Sequence, residues 1–115
     1  MPNHPMRDLI LKARETKRQE VYVPEWGQTV YVHEMSGRDR DKYEINVADS
    51  RSRGLIRARL VVLSVRDAEG NRIFADADAD AVADMPAAGL SRVFNLAASL
   101  SGITESDREE IEKNS

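Results

Sequence analysis

Three groups of residues in this sequence have types and spacings that could do chemistry. The first is the acidic run "DADADAVAD", where Asp76, Asp78 and Asp80 fall at the first, third and fifth positions of an EF-hand-like loop. Calcium loops of that kind need a glycine at the sixth position and a bidentate glutamate at the twelfth. Here those positions hold Ala81 and Ala87, so the loop lacks its turn and its last ligand. The same carboxylates are well placed at the positive N-terminal end of a helix, and a helix start is the reading adopted.

The second group is the pair of histidines, His4 and His33, which are far apart and have no metal partner at a ligand spacing. His33 falls on a strand beside Glu34, with no nucleophile or oxyanion pattern nearby, so it reads as an ordinary surface histidine. The third group is Arg51, Arg53, Arg57 and Arg59, a cluster that could touch phosphates. Nucleic-acid binding calls for sustained positive potential, whereas the net charge is −3 and no aromatics interleave the arginines. The glycines in "MSGRD", "RSRG" and "DAEG" are isolated turn residues, not a phosphate loop. No catalytic constellation emerges, and no cofactor or metal is expected.

These residues sit on elements that the hydrophobic pattern predicts. "MRDLILKARET" reads as a short amphipathic helix carrying Leu9, Ile10 and Ala13. "VYVPEWGQTVYV" reads as a β-hairpin within about residues 20–34. Side chains alternate along a strand, so pairing Val21 with Val32 and Val23 with Val30 gives a valine face. Tyr22 then faces Tyr31 across the other side, with Trp26 and Gly27 at the turn. Ser36 caps a helix through Tyr43 and Val47. "LIRARLVVLSVRD" reads as a buried helix, with a buried strand as the open alternative. "RIF" suggests one short extended piece. Pro86 opens a helix whose stripe is Leu90, Val93, Phe94, Ala97 and Leu100, stopped at Gly102 with Ile103 folding back. Residues 104–115 read as a frayed, exposed C-terminal helix. The fold class expected is α+β, mainly α, with four to six helices and one N-terminal hairpin in a single domain over residues 1–115.

Composition bounds the rest. With 41% hydrophobic and 32% charged residues, the chain reads as globular, and it has no cysteine for disulfides or thiolate sites. No window approaches a membrane span. Charge is uneven: residues 1–59 carry +3 and residues 60–115 carry −6. Such polarity suits two differently solvated faces, or head-to-tail association.

Three blocks, "VYVPEWGQTVYVHEMSGRDRDKYE", "RARLVVLSVRDAEGNRIFADADADAV" and "LSRVFNLAASLSGI", resemble tail assembly chaperones of long-tailed bacteriophages and prophages. The likeness runs in order from about Leu9 to Asn114, and none of its motifs is catalytic. It implies a non-enzymatic protein of the host bacterial cytoplasm, absent from the mature virion. Such a protein binds the tape-measure protein and keeps it soluble while tail-tube subunits polymerise. Self-association is implied as well, and neither nucleic acid nor membrane is an expected partner. A tail-completion or connector component of the virion is the alternative.

Laying an apolar helix into a groove is the natural recognition mode. The candidate surfaces are the hairpin's aromatic face (Tyr22, Trp26, Tyr31) and the 90–100 stripe, with Arg57 and Arg59 as further partner-binding candidates. The ending adds one expectation. Glu112-Lys113-Asn114 can be encoded GAA AAA AAC, which contains a slippery heptamer. This chain would then be the shorter product of a −1 frameshift, and a longer product would contact tail-tube protein.

Overall fold

The computed structural model describes residues 4–48 and 55–103. Its elements are α1 (Arg7–Lys12), β1 (Arg18–Val23), β2 (Gln28–His33), α2 (Gly37–Ala48), α3 (Ile56–Ser64), β3 (Val65–Arg66), α4 (Ala79–Ala83) and α5 (Ala87–Leu100). A 3-10 turn, Asp76–Asp78, leads into α4. The fold is therefore α+β and mainly α, as the pattern indicates. Arg51, Arg53 and the expected helix at 104–115 lie outside the described residues.

The hairpin forms, but two residues out of the expected register. Val21 pairs with Val30, Tyr22 with Thr29 and Val23 with Gln28. The cause is the loop. Trp26 and Gly27 both donate backbone N–H groups to the Val23 carbonyl, at 3.0 and 2.9 Å. Gly27 adopts φ +63°, a left-handed conformation that costs glycine little, so β2 resumes at once at Gln28. A shift of two preserves the faces, because strand side chains alternate with period two. Val23, Val30 and Val32 are buried on one face, while Tyr22 and Tyr31 share the other without being direct partners.

A third strand joins this pair. The apolar run reads as helix only to Ser64, where Val65 turns extended and β3 pairs antiparallel with Tyr31 and Val32. The turn that follows closes on Asp67, whose side chain accepts the N–H groups of Glu69 and Asn71, both at 2.9 Å. Against the valine face packs α5, which also lies on α3. Phe94, Leu60, Val93 and Val61 are fully buried there. Leu90, Val93, Phe94 and Ala97 of the stripe are thus core, with Leu100 partly buried beside them. Gly102 stops α5 at φ +73°, and Ile103 donates to the Ala98 carbonyl at 2.9 Å and is buried.

Two positions in the packing depart from a simple polar-out, apolar-in pattern. His33 is not a surface residue: it is 9% exposed, shares a 2.7 Å hydrogen bond with Thr16 Oγ1, and its Nε2 finds no partner among the described residues. Gly89, on α5, permits the hairpin loop to approach. A Cβ there would lie 3.0 Å from Cβ of Glu25.

Both features make predictions. Gly89→Val should lower stability by about 1–3 kcal/mol, the usual range for overpacking, as read from urea unfolding. Burial, helped by nearby Arg66 and Arg18, lowers the pKa of His33, so the folded chain holds it neutral. The unfolded chain protonates it below about pH 6.5, so stability should fall as pH drops from there toward the lower folded value. The urea midpoint should decline between pH 7.5 and 5.5 in the wild type and flatten in His33→Gln. A decline of equal size in both would remove His33 as the cause.

Candidate functional site

An open groove of about 710 Å³ runs beside the hairpin. Its apolar lining comes from Trp26 in the hairpin loop, Tyr31 on β2, Ile73 and Phe74 after the Asp67 turn, and Met85 between α4 and α5. Each lining residue is there for a local reason. The tight loop that resets the register holds Trp26 half-buried at the tip. Trp26 then meets Phe74 edge-to-face, ring centres 6.1 Å apart and planes at 82°. The short β3 covers only Tyr31 and Val32, so no described strand pairs with β2 on that side from Gln28 to Val30, and these residues line the groove.

The segment after β3 is held by its own polar contacts. Arg72 donates to the Val62 carbonyl at 2.8 Å and to Asp76 at 2.8 Å, which positions the neighbouring Ile73 and Phe74. Ile73 is left 45% exposed. At the other end, Arg18 stacks over the Tyr31 ring at 4.8 Å and donates to the Ala68 carbonyl at 3.1 Å. The hairpin loop is tied to α5 by Glu25, whose carboxylate takes both guanidinium nitrogens of Arg92.

Both signs of charge meet at the groove: Glu20 and Asp67 line it, and the Arg18 guanidinium lies over Tyr31 at its edge. Backbone N–H groups of Asn71, Glu69 and Gly70 hold the Asp67 carboxyl below its ordinary pKa, so it stays ionised at neutral pH. Arg92 does the same for Glu25. An apolar floor of this kind can receive an apolar segment.

The expected residues divide. Trp26 and Tyr31 line the groove; Tyr22, 58% exposed, lies on the same sheet face outside the lining. Arg57 and Arg59 are elsewhere. The Arg57 guanidinium lies over the Phe94 ring at 5.8 Å, covering the core. Arg59 lines a smaller cleft of about 220 Å³ with Lys42, Asn46 and Asp76. Ile73, Phe74 and Met85 were not anticipated, although "RIF" after a polar turn was the signal for the first two. The acidic run serves its helix: Asp78 accepts the Ala75 N–H at 2.8 Å, and Asp76 pairs with Lys42 at 2.9 Å and with Arg72. Those contacts and the positive charges lower the Asp76 pKa. Among the described residues no helix is long and apolar enough to cross a membrane.

Known proteins place this architecture. The fold is similar to the tail assembly chaperone of bacteriophage HK97, with a TM-score of 0.63 and 20% identity; the match covers 82% of this chain and 97% of that one. No protein of curated function matches the sequence. The model of the phage tail assembly chaperone family matches residues 5–114, nearly the whole length, and by that match the chain belongs to the phage tail assembly chaperone family.

Proposed function

We propose that this chain is a non-enzymatic chaperone that binds the tape-measure protein and keeps it soluble in the host cytoplasm while tail-tube subunits polymerise around it. The observation that carries the reading is the Trp26–Phe74 groove, an open apolar surface on a chain of this family. A long unassembled helical protein exposes apolar stripes that aggregate, and covering such a stripe requires a complementary apolar surface. The groove can take one helix face, with Tyr22 extending the contact along the sheet. Arg57 and Arg59 would meet the partner only at a second contact, suited to an acidic stretch.

We also propose that residues 1–115 act as one domain and are absent from finished particles. They would be the shorter product of a −1 frameshift, whose longer product contacts tail-tube protein. Self-association completes the proposed set of partners.

Co-expression with the tape-measure protein tests the central reading. The expected result is a soluble client that co-purifies with this chain. Ile73→Asp should reduce recovery about tenfold or more, as expected for an apolar anchor at a docking surface. Because Ile73 is already partly exposed, unfolding of the variant should stay within about 1 kcal/mol of wild type. A client that precipitates regardless, or a chain found in purified virions, would count against the chaperone role. Silent recoding of GAA AAA AAC should abolish the longer product while leaving the shorter one. Survival of a longer product would end the frameshift proposal.

A further inference from the structure

The segment 72–76 borders two different surfaces. Ile73 and Phe74 line the apolar groove, whereas Asp76 lines the smaller cleft of about 220 Å³, together with Lys42 and Asn46 of α2 and Arg59, Val62 and Leu63 of α3. Ile73 and Asp76 are three residues apart, so their backbones lie at most about 11 Å from one another. The cleft is therefore a close neighbour of the groove.

It holds more donors than acceptors. Its one carboxylate, Asp76, is engaged at both oxygens: Oδ2 accepts from Lys42 Nζ at 2.9 Å, and Oδ1 accepts from Arg72 at 2.8 Å. Arg59 stands beside this trio. Its Nε is buried and meets no acceptor among the described residues, and none of the ion pairs they form includes it. Arg57, two residues back, lays its guanidinium over Phe94 instead. Burying a guanidinium N–H without an acceptor is costly, so the Arg59 position favours a ligand that accepts. Asn46 adds an amide that can donate. With Lys42, Arg59 and Arg72 against Asp76, the cleft carries an excess of positive charge in a chain whose net charge is −3.

An oxyanion answers that arrangement, and size narrows the choice. Pockets for whole small molecules span roughly 300–1,000 Å³, so a cleft this small suits the end of one side chain. A planar guanidinium matches a carboxylate with two parallel N–H···O bonds.

We propose that the cleft takes an aspartate or glutamate side chain of the tape-measure client, with Arg59 and Lys42 as its donors, while the client's apolar stripe lies in the groove. The proposal rests on the reading of that groove as a client-docking surface and gives it a selectivity. The client helix must carry an acidic residue roughly two helical turns from its apolar anchor.

Two measurements test it. The first needs no client. The Arg59 Nε–Hε resonance of the full chain, assigned by its loss in Arg59→Lys, is followed by NMR as sodium glutarate is added at constant ionic strength. It should shift and saturate, and Lys42→Gln should bind glutarate about tenfold more weakly. A resonance that moves with inorganic phosphate alone, or with neither anion, overturns the carboxylate assignment. The second is client recovery on co-expression. Arg59→Gln should lower it about tenfold or more, and Arg59→Lys should restore only part of the loss. Lys42, 44% exposed, gives a second variant whose folding is not at stake, and Lys42→Gln should lower recovery in the same sense. Recovery with wild type should fall as salt in the wash rises, and fall less with Arg59→Gln, which a packing role for Arg59 would not produce. One client Asp or Glu should exist whose amide replacement lowers recovery with wild type but adds little in the Arg59→Gln background. Recovery unchanged in both Arg59→Gln and Lys42→Gln, or client amide replacements that cost the same in both backgrounds, would overturn the proposal. A saturable glutarate shift with a client that never binds would keep the carboxylate site, and would sink the tape-measure reading and this occupant with it.

Discussion

The docking of the hairpin loop onto α5 is the constraint on which the groove depends. Glu25 comes within reach of Arg92 because Gly89 has no side chain in the way, and Trp26, the next residue, is thereby aimed at Phe74. The ion pair is partly exposed, and pairs of that kind contribute little to stability. Burial of Val23, Leu90 and Val93 behind it is worth roughly 1.5–3 kcal/mol for each side chain. The core therefore holds the loop in place, and the charge pair decides how it is turned. If Gly89 were a larger residue, the loop would lift and the groove would lose one wall while much of the core stayed intact.

That division explains what was legible in the sequence. Alternation in "VYV" and "VYV" specified which residues face the core, and those faces are correct even though the pairing is displaced by two. Register was not legible because it is set by how tightly the loop closes, through two N–H groups on one carbonyl and the left-handed Gly27. The stripe of α5 and its glycine stop were legible because burial and helix termination are local. β3 was not: two residues make no periodic signal, and Val65 looks like the tail of the preceding helix.

The candidate site was half legible. Trp26 and Tyr31 stand out by type, and the hairpin places them. Phe74 and Ile73 come from a segment that returns beside β3 only through the Asp67 turn and the Arg72 contacts, which no spacing in the sequence announces. Arg57 shows a second role the sequence did not announce. An arginine in a basic cluster reads as a contact for something outside, and here its guanidinium also lies over the buried Phe94 ring. His33 is similar: polarity suggested the surface, but Thr16 and the pinned lead-in to β1 close over it.

Weak contacts would suit the proposed role, in which the client has to be released. Association costs roughly 4–15 kcal/mol in lost freedom, and a groove this open, with few apolar anchors, offsets only part of that. A single copy would bind a single helix face loosely. Copies joined along a long client would bind it far more firmly, because each further contact is made at high effective concentration.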